Sequence, residues 1–351
     1  MTVVALDAMG GDHAPAATVE GAILAAGNGI EVALVGDRAL IEREALRLGG
    51  LPAGIRIVHA ADAIEMGEHA ALEARNRRQS SMYIGVQLVR SGEADAFVSA
   101  GNTGAALTTA LVVLGRLRGI ERPALGAVLP LPSGPALLLD AGANAENRAS
   151  HLVQFAHIGA AYARLVFGVD VPRVGLLNIG EEPAKGTPAT IEAHETLARS
   201  GLRFVGNLEG RDIFAHRADV VVADGFTGNV ALKLAEGVVD LLLAQLWEAS
   251  EASWRARIGA LLLRPTLRAI AKRLDYRQYG AAPLLGVDGA VFVGHGRSDA
   301  QAIASAVRTA ADAAQRGLRD ALAVAVAGLA PSGAEPSGAD AARGQHAPRE
   351  V

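Results

Sequence analysis

Three short turns rich in glycine and asparagine each follow an apolar, strand-like run, and they hold most of the residues able to bind a polar ligand. They are Ser99-Ala100-Gly101-Asn102-Thr103-Gly104 after Ala94–Val98, Asp140-Ala141-Gly142-Ala143-Asn144 after Ala136–Leu139, and Asp224-Gly225-Phe226-Thr227-Gly228-Asn229 after Asp219–Ala223. Glycine lets backbone N–H groups approach a ligand, and a following helix offers its positive N-terminus to an anion. Three such turns in one chain predict a shared site for phosphate or another polar anion. Ordinary strand-to-helix connections use the same residues, so no single turn decides the matter.

Two further side chains are candidates. Lys185 follows a strand-like run and lies in a Gly/Pro loop with Glu181 and Glu182, where it could clamp phosphate; a solvated loop lysine is the competing reading. His295, between Gly294 and Gly296 after Ala290–Val293, could present its imidazole to a site or be a turn residue without a role. The stretch Gly180 to Thr187 lacks the glycine before the lysine that a nucleotide P-loop requires. No G-x-G-x-x-G occurs, which weakens a nicotinamide-dehydrogenase reading without eliminating it; there is no G-x-S-x-G, and no histidine spacing is that of a zinc helix. His151 and His157 read as packed or surface helix residues.

The elements that must position these residues follow from hydrophobic patterning. Buried-strand runs recur at Val3–Leu6, Val32–Val35, Ile55–Val58, Ala94–Val98, Leu125–Leu129, Ala136–Leu139, Val174–Leu177, Arg203–Val205, Val220–Ala223 and Ala290–Val293, many separated by helical patterns. This predicts an α/β fold with a doubly wound, largely parallel sheet sandwiched by helices, its ligands gathered at the carboxyl ends of the strands. The stripe Ile303, Val307, Ala311, Ala314, Leu318, Leu322, Val326 and Leu329 predicts a terminal packing helix from Ser298, with Ser298 and Gln301 as a capping box. Residues 1–330 are expected to form one catalytic domain, and 331–351, with almost nothing to bury, a disordered tail.

Composition excludes several function classes. Half the residues are hydrophobic but aromatics are few, which suits an Ala/Val/Leu core around parallel strands. A net charge of −4 and the absence of a basic-aromatic stripe argue against nucleic acid as a partner. The chain has no cysteine, which removes disulfides and a thioester-linked enzyme intermediate. The N-terminus lacks a signal-peptide pattern and no run approaches a membrane span, so a cytoplasmic protein is expected.

One segment departs from this acidic background. Arg255, Arg257, Arg264, Arg268, Lys272 and Arg273 occur with no acidic residue among them, while Trp254, Ile258, Leu261 and Leu262 share a helical face. A hairpin over about 247–279, two basic amphipathic helices joined at an apolar Leu261-Leu262-Leu263 tip, could lie on an anionic membrane. Packing of the same hairpin against another subunit is the alternative.

Taken together, these stretches resemble the phosphate acyltransferase (PlsX) family. The motifs are Asp7-Ala8-Met9-Gly10-Gly11-Asp12, the Ser99 to Gly104 turn, Asp140 to Asn144 with Gln154-Phe155-Ala156, and Leu176 to Glu182 leading to Lys185-Gly186. Gly206-Asn207-Leu208-Glu209, the Asp224 to Asn229 turn with Lys233, Tyr279-Gly280 with Pro283 to Gly286, and His295-Gly296 continue the match to about residue 330. Ala281 stands where the family usually has a second glycine, and Gly294 where it often has a basic residue.

The resemblance implies transfer of a fatty acyl group from acyl carrier protein to inorganic phosphate, giving acyl phosphate for phospholipid synthesis. It implies a fold related to phosphotransacetylases and isocitrate-type dehydrogenases, a homodimer without metal or organic cofactor, and peripheral membrane association, with a downstream acyl-phosphate-using acyltransferase as a further partner. Expected at the substrate site are Asp7, Gly10, Gly11, Gly101, Asn102, Thr103, Gly104, Gly142, Asn144, Asp224 and Gly228. Lys185 and the Gly101 to Gly104 turn are expected to hold phosphate, Asn229 or Asn178 to donate to the thioester carbonyl, and His295 to orient phosphate or protonate the leaving thiolate. Trp254, Ile258, Leu261, Leu262, Leu263, Arg264 and Arg268 are the expected membrane contacts.

Overall fold

The computed structural model describes residues 1–27, 29–65, 67, 70–251, 253–274 and 280–329. The expected tail at 331–351 lies outside the described residues.

Eleven strands form one sheet: β1 (Thr2–Asp7), β2 (Ile30–Gly36), β3 (Ile55–His59), β4 (Ala96–Ser99), β5 (Ala124–Leu131), β6 (Gly134–Leu139), β7 (Arg173–Leu177), β8 (Arg203–Leu208), β9 (Val220–Val222), β10 (Ala281–Leu285) and β11 (Ala290–Gly294). The helices are α1 (Ala16–Ala25), α2 (Arg38–Arg47), α3 (Ala70–Asn76), α4 (Ser81–Ser91), α5 (Thr103–Val113), α6 (Ala149–Tyr162), α7 (Pro188–Leu197), α8 (Gly210–Phe214), α9 (Gly225–Glu251), α10 (Trp254–Leu274), α11 (Ala300–Gln315) and α12 (Leu318–Ala327). The sheet order is β3-β2-β1-β4-β11-β10-β5-β6-β9-β7-β8. Each apolar run named above becomes a strand, as the alternation of helix and strand patterns predicts for a mostly parallel α/β sheet. β10 is an addition. Its sequence Ala-Ala-Pro-Leu-Leu carries a proline, which argues against a central strand in sequence reading, yet Pro283 sits in register with Phe292 of β11.

The two flanks of the sheet are parallel within themselves, but the central junctions β11–β10, β10–β5 and β5–β6 are antiparallel. β6, β7, β8 and β9 therefore run opposite to β1, β2, β3, β4 and β11. This corrects the expectation of a single carboxyl edge, because the turn after β4 and those after β6 and β9 leave strands that point in opposite directions.

The core is asymmetric across the sheet. On one face a single cluster runs through both flanks, from Val19 and Ile41 through Val307 and Leu322 to Phe155 and Leu197. On the other face there are two separate clusters. One joins Met82, Val86, Ala106 and Val113 to Val291 and Val293, and the other joins Ala127, Leu138 and Ala141 to Ile213 and Val221.

Two helical expectations are corrected. The terminal stripe is broken into α11 and α12 by Gly317, whose positive φ ends the first helix, and the cap of α11 is Asp299, whose carboxylate accepts from the Ala302 amide at 2.9 Å, not Ser298. In the basic segment, Leu261-Leu262-Leu263 is not a tip between helices but lies within α10, which continues through Pro265. Proline removes the bond to the Leu261 carbonyl, but at this exposed position solvent can take that carbonyl and the helix persists. The break instead falls between Glu251 and Trp254, and α9 and α10 pack against each other. No helix among the described residues is long and apolar enough to cross a membrane.

Candidate active site

A buried carboxylate organises the first turn. Asp7, at the end of β1, accepts from Ser99 Oγ at 2.7 Å and from the Met9 amide at 3.1 Å, while Ser99 Oγ accepts from the Gly101 amide at 3.0 Å. Burial pushes the Asp7 carboxyl above its ordinary range, against bonds from Ser81, Ser99 and the Met9 and Gly10 amides that pull it back. Gly10 packs so closely that a side-chain carbon would stand 2.7 Å from Asp7 Oδ2 and 2.8 Å from Ser99 Oγ. Asp7, Gly10 and Gly11 thus shape the loop from beneath. The Asp12 amide ties it to the histidine turn through Gly296 O at 2.8 Å.

Asn102 is the N-cap of α5, its Oδ1 accepting from the Ala105 amide at 3.0 Å. Gly101 and Thr103 beside it line a cavity of about 380 Å³, with the N-terminus of α5. Gly104 and Asn102 do not line it.

Asp140 plays the corresponding part on the other flank. Its carboxylate accepts from the amides of Leu125 (3.0 Å), Gly142 (3.0 Å), Ala143 (2.9 Å) and Asn144 (2.8 Å), and from Asn144 Nδ2 at 2.8 Å. Burial raises its carboxyl pKa and these bonds oppose the rise. Asn144 also donates to Pro123 O at 2.8 Å, so its amide holds the loop, whereas Gly142 lines the cavity.

In the third turn Asp224 caps the start of α9, accepting from the Thr227 amide at 2.9 Å and from Thr227 Oγ1 at 2.7 Å. Gly228 packs directly on the Asp140 carbonyl, where any side chain would overlap it. Its role is close packing, which seats α9 against the Asp140 turn. Asn229 is thereby placed beside Gly142 and lines the cavity, together with Leu232, Lys233 and Glu236 from the same helical face.

His295 also lines the cavity. Its Nδ1 accepts from the Arg297 amide at 3.2 Å, which leaves the proton of the neutral ring on Nε2. Burial lowers its pKa, the charges of Lys233 and Arg297 lower it further, and Glu236 and Asp12 oppose them. The ring is therefore neutral near pH 7 and able to donate. Lys233 Nζ bonds Glu236 Oε2 at 2.9 Å.

Lys185 and Asn178 do not line this cavity, contrary to expectation. Asn178 spends its side chain on its own loop, donating to Lys185 O at 2.9 Å and accepting from the Ile179 amide at 2.8 Å. Lys185 is exposed, with its stem against Gly180. The cavity's lysine is Lys233, one helical turn after Asn229. Sequence reading passed over it as a site residue, although its spacing of four from Asn229, with Glu236 at seven, is a helical face. Among the described residues no group of three His, Cys, Asp or Glu side chains could hold a metal.

A second cavity of about 560 Å³ is lined by Ser133, Arg173, His216 and Asp219. Burial pushes the Asp219 carboxyl up, but hydrogen bonds and charge from Arg173 outweigh it and hold the group below its ordinary range. Its two oxygens are taken by the Arg173 amide and guanidinium at 2.7 to 3.1 Å, so it ties β7 to β9.

A family model described as fatty acid synthesis protein matches residues 2–320. The chain is 53% identical over 316 residues to a phosphate acyltransferase of Thermus thermophilus, covering 90% of this chain and 95% of that one. The chain belongs to this family of phosphate acyltransferases. The phosphate acyltransferase of Pelotomaculum thermopropionicum is 48% identical over 318 residues, 90% of this chain and 92% of its own length. Among solved structures, a phosphotransacetylase from Streptococcus pyogenes superposes with TM-score 0.60 at 18% identity, over 90% of this chain and 94% of that one. A 4-hydroxythreonine-4-phosphate dehydrogenase from Klebsiella pneumoniae superposes with TM-score 0.54 at 14% identity, over 90% and 98%. These two share the fold. The family assignment makes the protein an acyl-transferring enzyme, and the cavity between the flanks is its candidate active site.

Proposed function

We propose that this phosphate acyltransferase takes a fatty acyl group from the thioester of acyl carrier protein and delivers it to inorganic phosphate, and that the acyl phosphate feeds phosphatidic acid synthesis through a downstream acyl-phosphate-using acyltransferase. The observation that carries the reading is a single cavity whose lining joins the N-terminus of α5, the Lys233–Glu236 pair and a neutral histidine to apolar side chains such as Leu125, Val128, Leu232 and Val293.

In this reading an oxygen of hydrogen phosphate attacks the thioester carbonyl carbon, the C–S bond breaks, and the phosphate proton ends on the departing sulfur. No covalent enzyme intermediate is needed, since phosphate is already an oxyanion nucleophile. The enzyme's work is orientation and stabilisation of charge on the carbonyl oxygen. Lys233 and the Gly101–Thr103 end of α5 hold phosphate, and His295 Nε2–H or the Asn229 amide donates to the carbonyl oxygen.

We assign residues 1–330 to one catalytic unit, acting in the cytoplasm as a homodimer held peripherally at the membrane. Val230, Leu234, Val238, Leu241 and Leu242 form an exposed apolar stripe along α9, which favours a partner subunit there. Trp254, Ile258, Leu261, Leu262 and Leu263 are at least half exposed on α10 with Arg264 nearby, which favours an anionic lipid surface. The Arg268 side chain lies outside the described residues. Incubating the protein with phosphate and either hexadecanoyl-acyl carrier protein or hexadecanoyl-coenzyme A, then assaying acyl phosphate, tests the reaction. Product from the coenzyme A thioester alone would replace the carrier-protein reading.

A further inference from the structure

The cavity lies where the core is interrupted. On the face of the sheet where the hydrophobic core is split, Val293 belongs to one cluster and Leu125 packs on it; Ala127 and Ala141 belong to the other and Leu232 packs on that. All five line the cavity, so its apolar lining is drawn from two cores that do not meet.

The floor of the gap follows from strand register. β10 and β5 pair only at Leu284↔Leu125 and Leu285↔Ala124. Side chains two apart on a strand share a face, so Ala282 lies on the face of Leu284, and Ala127 on the face of Leu125. The same register sets Ala282 opposite Ala127, two residues past the end of the ladder. Ala282 pairs on its other side with Val293, and Ala127 with Leu138. The transverse row thus reads Val293, Ala282, Ala127, Leu138, with the two smallest side chains in the middle and an open seam between them. Leu232 of α9, packed on the cluster that holds Ala127 and Leu138, lines the same cavity one residue from Lys233.

The geometry points to Ala127 and Ala282 as the residues that set how long an acyl chain the enzyme accepts. The inference rests on the acyl-transfer reading above and extends it to the chain's path: thioester carbonyl beside Asn229 and His295, hydrocarbon over the alanine pair between the two cores. An apolar chain there completes an interrupted hydrophobic face, which is the favourable environment for its methylenes. Leucine at either alanine would fill the trough with an isopropyl group while leaving the polar lining untouched. A short acyl group would not reach the obstruction.

The test compares hexadecanoyl and butanoyl thioesters of acyl carrier protein as donors for A127L, A282L and the milder A127V and A282V, with acyl phosphate as the readout and thermal unfolding as the check on folding. We expect the hexadecanoyl-to-butanoyl ratio of kcat/KM to fall at least about tenfold in the leucine variants, with the valine variants intermediate, as steric exclusion from an apolar pocket produces. The valine variants decide if a leucine variant fails to fold. A ratio within about twofold of the parent in folded variants overturns the inference while the functional reading stands. A parent protein that makes no acyl phosphate from either donor overturns the functional reading, and the inference with it.

Discussion

Gly228 rests on the carbonyl oxygen of Asp140, and this contact between the start of α9 and the turn after β6 is what brings Asn229 to the cavity. Neither residue lines the cavity itself. Replacing Gly228 with alanine must separate α9 from the Asp140 turn, since the obstacle is backbone. G228A is expected to destabilise by about 1–3 kcal/mol, as overpacking does, and to lower kcat more than that loss of folded protein explains. Thermal unfolding and acyl phosphate formation measure the two; a variant with parental stability and turnover would dissolve the link.

Lys233, not Lys185, is expected to govern phosphate use. Removing a charge-assisted contact costs about 1.5–3 kcal/mol, so K233M should raise the phosphate KM or lower kcat/KM by about ten- to a hundredfold with the fold intact. K185A should change either by less than about threefold. The opposite ranking in steady-state kinetics would return the phosphate site to the Gly180–Gly186 loop.

His295 predicts an acid limb in the pH profile. Its pKa is lowered, so the ring is neutral above that value and gains a proton, and a second positive charge beside Lys233, only as pH falls below the ordinary histidine value of about 6.5. If neutral His295 donates through Nε2–H and Nδ1 must accept from the Arg297 amide, kcat/KM should fall on that acid side. H295Q keeps a donor without titrating and should flatten the limb relative to the parent. K233M removes a charge that depresses the histidine, so in that variant the limb should move to higher pH. An acid limb unchanged in both variants would assign it to phosphate or another group.

Membrane association should depend on α10. Exchanging Leu261, Leu262 and Leu263 for polar residues is expected to release the protein from anionic vesicles while leaving transfer between soluble substrates intact. Basic residues near an anionic surface contribute about 1 kcal/mol each and a few inserted leucines a few kcal/mol more, so added salt should weaken binding as well. Co-sedimentation of the triple variant with vesicles at the parental level would instead favour burial of this segment against a second subunit.

Four expected site residues that do not line the cavity share one feature. Asn102, Asp224, Asn144 and Asn178 have side chains suited to ligands, and the same oxygens and amides suit helix caps and turn bonds, the role in which the structure uses them. Lys185 looked promising because glycine and proline surround it, but that loop closes on itself through Asn178. Lys233, one of three lysines in the chain, reads as an ordinary helix-surface residue because its neighbours in space, His295 and the turn after β4, are distant in the chain.

By itself the sequence determined the strands other than β10, the turns that follow them and the family, because hydrophobic period and glycine placement act over a few residues and survive without knowledge of contacts. Strand direction in the centre of the sheet was beyond its reach. So was the choice between cap and ligand at each turn, and so was the gap between the two cores where Ala127 meets Ala282. These depend on residues far apart in the chain competing for the same bonds and the same space, and only the packed fold settles which of them win.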